Sequence, residues 1–183
     1  MSGYPMKKVT LKNGSELLIR KATEEDAEQM AQFKMHISRE SDFLSFGENE
    51  IEITAETEHR IIQAENTTNN SVIIIALIDN EIAGFVTFKG GAKIRKRHAG
   101  EMGISVRKKY WGLGIGSLLL KVIIEWAKGT QVIRKMDLLT RADNEKAMKL
   151  YEKYGFKKEG ILTRDMCING VFYDSVSMGL PID

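Results

Sequence analysis

The chain has 183 residues, 27 Lys and Arg against 25 Asp and Glu, a formal net charge of +2, and 43% apolar against 28% charged residues. That is the balance of an ordinary globular chain long enough to bury its own core, and it excludes a disordered, collagenous or low-complexity scaffold. The single Cys167 permits no internal disulfide and supplies neither a zinc nor a dithiol spacing.

Taken in chain order, residues 1–16 read as a mobile N-terminal segment or a first strand, and 17–183 as one domain with no repeat or linker. The N-terminus lacks the apolar core of a signal peptide, and the apolar run 72–78 falls far short of the ~20 residues a spanning helix needs, so a cytoplasmic protein without a membrane partner is expected. A short strand covers 17–21. Thr23 then caps a helix that runs to about residue 37, with Glu24, Glu25 and Asp26 in its first turn. The stretch 41–53 has no clear period, and 54–65 reads as a second helix with Ile61 and Ile62 inward. The run Val72-Ile73-Ile74-Ile75-Ala76-Leu77-Ile78 suits a central strand, and Asp79-Asn80 turns it into a partner over 82–89. A strand over 99–106 leads through a glycine-rich loop to an amphipathic helix over 114–128. A strand over 135–141 and a helix over 144–154 follow, the helix ended by Gly155. Two final strands, 156–168 and 171–180, are joined by Asn169-Gly170, a strong hairpin signal. The order β α α β β β α β α β β predicts an α/β domain with a mixed, mostly antiparallel twisted sheet flanked by helices.

The segment Tyr110-Trp111-Gly112-Leu113-Gly114-Ile115-Gly116-Ser117 follows a strand and opens a helix. Alternating glycines keep side chains aside, so successive backbone N–H groups can converge on an anion at the positive end of the helix dipole. A tight turn without a ligand is the alternative. A Walker A loop needs Lys after its last glycine, where Ser117 stands. A dinucleotide fingerprint needs glycine at Ser117 or Leu119.

The remaining phosphate site is the pyrophosphate arm of coenzyme A, and here the sequence resembles the GNAT superfamily of acyl-CoA-dependent N-acyltransferases. The family's [QR]-x-x-G-x-[GA] loop falls on Trp111 to Gly116, with Gly114 and Gly116 in place and Trp111 in the usual Gln/Arg slot. The helix motif N-x-x-A-x-x-[LF]-Y-x-x-x-G-F matches Asn144, Ala147, Leu150, Tyr151, Gly155 and Phe156. The segment Tyr173 to Leu180 is similar to the last strand of the ribosomal-protein and small-amine acetyltransferase branch. The resemblance implies a GNAT-like fold and transfer of an acetyl group from acetyl-CoA to a primary amine, either a small molecule or a protein N-terminus, directly in a ternary complex. It implies that the coenzyme lies along Ile104, Ser105 and Val106, that its pyrophosphate meets Trp111, Gly112, Leu113, Gly114, Ile115, Gly116 and Ser117, and that Asn144 adds a contact. A homodimer is plausible by the same analogy. The other readings are a non-catalytic acyl-CoA sensor or interaction module and, more weakly, a nucleotide-binding α/β protein.

Acetyl transfer to an amine requires a neutral nucleophile, donors for the carbonyl oxygen, and a proton for the departing thiolate. The resemblance marks Tyr151 as that proton donor; a buried tyrosine bonded to the backbone is the alternative. Glu101 shares a strand face with Gly103 and Ser105 and stands where the resemblance implies a carboxylate base. It is otherwise an exposed strand glutamate. Arg107, Lys108, Lys109 and the run Lys93, Arg95, Lys96, Arg97 are expected to attract the coenzyme's phosphates, or to form a solvated surface. No aromatic interleaving supports nucleic-acid binding. Cys167 and the scattered His36, His59 and His98 show no metal-ligand spacing.

Overall fold

In the computed structural model, which describes residues 6–183, the strands are β1 (Lys7–Thr10), β2 (Glu16–Lys21), β3 (Ser71–Ile78), β4 (Glu81–Gly90), β5 (Ala99–Val106), β6 (Lys135–Arg141), β7 (Lys157–Ile168) and β8 (Val171–Pro181). The helices are α1 (Ala27–Glu40), α2 (Ala55–Asn66), α3 (Ile115–Thr130) and α4 (Glu145–Lys153). Strand β1 lies in the segment read as a mobile tail or first strand, whose positions 1–5 fall outside the described residues. The strands form one sheet in the order β1-β2-β3-β4-β5-β6-β8-β7. Every neighbouring pair is antiparallel except β5 with β6.

Strand β3 shows why its sequence is continuously apolar: it is buried on both faces. Val72, Ile74, Ala76 and Ile78 join a core with α3 and α4, whereas Ile73, Ile75 and Leu77 join a second core with α1 and α2. The two hairpin turns follow from residues that tolerate left-handed backbone. Asp79 and Asn80 have φ of 49° and 63°, and Asn169 and Gly170 have φ of 50° and 80°, the paired positive values of a type I′ turn.

The entrance to α1 differs from the sequence reading. Thr23 does not start the α-helix; a single 3₁₀ turn, Glu24–Asp26, intervenes. Asp26 is buried, accepts the Thr23 N–H at 2.8 Å and takes two bonds of 2.7 Å from Arg20. Burial alone would raise its carboxyl, but the Arg20 fork and the Thr23 donors hold it below its ordinary value. A carboxyl depressed in the folded state stabilises the fold above its unfolded pKa, and that contribution is lost as pH falls through the folded value. Thermal melts from roughly pH 5 down to 3 are therefore expected to show an acid destabilisation that Asp26→Asn reduces.

The topology opens a slot at one point. Strands β5 and β6 register only at Ala99 with Lys135, Gly100 with Met136, and Glu101 with Asp137. Beyond these pairs β5 stays on β4 as far as Val106, while β6 stays on β8 as far as Arg141. The two strands diverge and no longer pair with each other.

Candidate active site

The slot widens into a cleft of about 1540 Å³ that reaches both sheet faces, above the ~300–1,000 Å³ usual for one small ligand. The Arg107 N–H donates to the Ala83 carbonyl at 2.9 Å. By antiparallel alternation, Ser105 and Gly103 then exchange bonds with β4, and the N–H groups of Ile104 and Val106, beyond the last β5–β6 pair, point into the slot. Of the three residues along which the resemblance lays the coenzyme, Ile104 and Val106 turn their amides to the slot and Ser105 turns its amide toward β4.

At the wide end, the chain turns from β5 into α3. Gly112 and Gly114 have φ of 83° and 86°, and a Cβ on either would meet nothing within 4 Å. Backbone conformation selects glycine here, and the space beside it is open. Gly112, Gly114 and Gly116 line the cleft, while the side chains of Leu113 and Ile115 pack on the core. Any part those two residues take in a cradle rests on their backbone. No side chain caps α3, so its first amides, through Ser117, lack an intrahelical acceptor and carry the positive end of the dipole. The arrangement fits the diphosphate of a coenzyme A.

Trp111, in the slot where the resembled loop has Gln or Arg, is half exposed, and its indole N–H donates to the Val106 carbonyl at 2.8 Å. It closes the end of β5, and Lys146 Nζ lies 5.5 Å from its ring centroid. Lys146 is a cation at the cleft wall that sequence reasoning passed over, although it lies inside the matched helix motif. Arg107 and Lys109 are committed to Glu40 and Glu81 at 2.9 and 2.7 Å. The Lys93 to Arg97 group lies in the β4–β5 connection. It is at the opposite end of the eight-residue strand β5 from the glycine turn, about 25 Å away at 3.3 Å per residue. That group does not adjoin the glycine turn.

Tyr151 and Glu101 reach the same cleft from opposite faces. Tyr151 belongs to the α3/α4 core, is 8% exposed, and packs on Phe156 with ring centroids 5.9 Å apart. Its hydroxyl has no hydrogen-bond partner among the described residues, so the backbone-bonded alternative is not what is seen. Burial pushes the phenol up to about 12, leaving it a proton donor at neutral pH. Glu101 stands on the α1/α2 face, in register with Lys89 on one side and Asp137 on the other. Its carboxylate lines the cleft and makes no ion pair among the described residues. Asn144 caps α4, its Oδ1 accepting the Ala147 N–H at 3.3 Å.

Among the described residues no group of three His, Cys, Asp or Glu converges on a metal position, and Cys167 is exposed on β7. No helix there is long and apolar enough to cross a membrane.

The sequence profile of the Acetyltransferase (GNAT) family matches residues 35–156. The crystal structure of an acetyltransferase of the GNAT family from Streptococcus pneumoniae superposes with a TM-score of 0.88 at 34% identity, covering 91% of this chain and 99% of that one. The L-amino acid N-acetyltransferase AaaT of Escherichia coli (strain K12) is 30% identical over 105 residues, 57% of this chain and 65% of that protein. The spermidine N(1)-acetyltransferase of the same strain is 29% identical over 100 residues, 55% of this chain and 53% of that protein. The match thus spans between half and two thirds of the length of these two relatives.

Proposed function

The chain belongs to the Acetyltransferase (GNAT) family, and on that premise we propose that it transfers an acetyl group from acetyl-CoA to a primary amine, directly and within a ternary complex. The observation that carries this reading is the divergence of β5 from β6 beyond Glu101 and Asp137, with an uncapped, glycine-lined helix terminus at its wide end. A thioester arm threaded between the strands presents its carbonyl to both faces of the sheet, and its phosphates to the free amides.

The chain's residues then divide the work. The amides from Gly112 to Ser117 hold the diphosphate. Ile104 N–H donates to the carbonyl oxygen as it gains negative charge. On the α1/α2 face Glu101 takes the proton released when the amine nitrogen bonds to the acetyl carbon, directly or through water. On the opposite face Tyr151 O–H donates to the sulfur as its bond to that carbon breaks. Placing base and acid on opposite faces keeps the two proton transfers apart, and no covalent bond to the protein is required.

Asn144 allows cap and coenzyme contact to be separated. Asn144→Ala is expected to lower stability by about 1 kcal/mol through loss of the cap. Asn144→Asp keeps the cap but sets a negative charge beside the phosphates, so native stability with coenzyme A affinity lowered by roughly tenfold is expected. Thermal melts and calorimetric titration check the pair.

The acceptor is a small amine or a protein N-terminus; the names of the relatives, an L-amino acid and a spermidine acetyltransferase, put both compounds in the panel. The protein is incubated with isotopically labelled acetyl-CoA and amino acids, polyamines or peptides with free N-termini, then thiol release and mass spectra are recorded. Thiol release that requires an amine and matches labelled product supports transfer. Tight coenzyme binding without product from any amine would replace the enzyme by a binding module.

A further inference from the structure

The connection 41–54 between α1 and α2 has no regular structure, yet its first residues are held at two posts beside the slot. Glu40 accepts Arg107 Nε at 2.9 Å and the Lys108 N–H at 2.8 Å, just past the end of β5. On the far side stands Arg141, the last residue of β6. Its side chain is 9% exposed. Nε and Nη2 donate to Asp143 at 2.7 and 2.8 Å, and Nη1 donates to the Asp42 carbonyl at 3.2 Å. The guanidinium carbon lies 4.0 Å from the ring centroid of Tyr173 on β8 and 4.5 Å from that of Phe43. Residues 40–43 therefore reach across the open end of the slot, from the end of β5 to the end of β6. Phe43, Leu44 and Phe46 beyond them line the cleft on the face that carries Glu101.

A planar cation held against two aromatic rings is attracted to the π face of each. The Asp143 fork fixes the plane of the guanidinium, which an ammonium group does not reproduce. Phe43 is 42% exposed; its N–H donates within the connection, to Ser41 Oγ at 3.2 Å, and Arg141 is the group from β6 that meets its ring.

We propose that Arg141 is a positioning residue for the acceptor: packed against the rings of Tyr173 and Phe43 and bonded to the Asp42 carbonyl, it holds the start of the 41–54 connection across the slot and fixes the wall against which the amine is presented. The proposal rests on the reading of the cleft as an acetyl-transfer site. It assigns Arg141 no contact with the reacting atoms.

The test compares Arg141→Lys, Arg141→Met and Phe43→Leu with the native protein in three measurements. Coenzyme A affinity by calorimetry is expected within about twofold of native, since the glycine turn is untouched. Amide exchange of residues 42–46 is expected to accelerate roughly tenfold in Arg141→Met and Phe43→Leu and less in Arg141→Lys, with β1 and β2 unchanged. With the amine of the panel that the native protein acetylates fastest, the acceptor KM is expected to rise about tenfold in Arg141→Met, while kcat and the acetyl-CoA KM change less than about threefold. Unchanged exchange at 42–46, or acceptor and acetyl-CoA KM rising together, overturns the proposal. If Arg141→Met does not fold, Phe43→Leu and Arg141→Lys decide it. A native protein that binds no coenzyme A would refute the function and leave the exchange result to decide this contact.

Discussion

Gly116→Val is expected to raise the Kd for coenzyme A by roughly 100-fold or more while leaving the melting temperature near native. Gly116 lies in the first turn of α3, and a Cβ there meets only Leu150 Cδ2 at 3.6 Å, an ordinary contact. Valine is no worse than glycine in a helix, so the folded state loses nothing. Its branched methyl groups instead enter the space over the free amides. Gly114→Val should lose binding as completely, but for two reasons at once. Its φ of 86° is costly for any L-residue, by about 1–2 kcal/mol, and a β-branched side chain is the worst tenant of that region. Gly116 thus isolates the steric effect that Gly114 mixes with strain. Gly116→Ala is the control, since the resembled loop accepts alanine there, and it should bind within a few-fold of native. Calorimetric titration and thermal melts on the three variants check the set. Native affinity in Gly116→Val would mean that the diphosphate lies elsewhere.

Tyr151→Phe is expected to lower kcat by about 100-fold with coenzyme A affinity and melting temperature unchanged. The ring keeps its contact with Phe156 at 5.9 Å, and the lost hydroxyl has no partner among the described residues to orphan, so stability is not the route of the effect. Burial holds the phenol up to about 12, against about 8.5 for an ordinary thiol, so full transfer to a free thiolate is uphill by roughly 5 kcal/mol. The proton therefore moves only as negative charge reaches the sulfur. The sign of the pH dependence follows: Tyr151 is protonated throughout neutral and mildly alkaline solution, and its own ionisation removes activity only as pH approaches that value. Any limb of the kcat profile between roughly pH 6 and 9 does not come from Tyr151 and should persist in Tyr151→Phe. A native rate in Tyr151→Phe would take the phenol out of the reaction.

What the sequence discloses here is local chemistry. Asp79-Asn80 and Asn169-Gly170 specify their turns through backbone preference alone. The glycine turn is legible because three glycines at alternate positions have few other uses. The motif from Asn144 to Phe156 is legible because its helix cap, its inward Tyr151 and its terminating Gly155 each carry a distinct constraint. What stays hidden depends on partners distant in the chain. Strand β1 has only four residues and is fixed by pairing with β2, which no period announces. The 3₁₀ turn before α1 depends on Arg20 reaching Asp26. Arg107 and Lys109 look free for phosphates until Glu40 and Glu81 are brought beside them. Arg141 looks like a surface cation on a strand, and only the fold sets the rings of Phe43 and Tyr173 against it. The acceptor wall is the least legible part, because an irregular connection takes its shape from such posts rather than from its own residues.

The most direct test of the central claim is the backbone amide spectrum of the protein, 20.7 kDa in mass, recorded as coenzyme A is added. The account predicts that the largest saturable shifts fall on Gly114, Ile115, Gly116 and Ser117, with smaller ones at Ile104 and Asn144. No shift there, or shifts centred on Lys93 to Arg97 at the other end of β5, would contradict it.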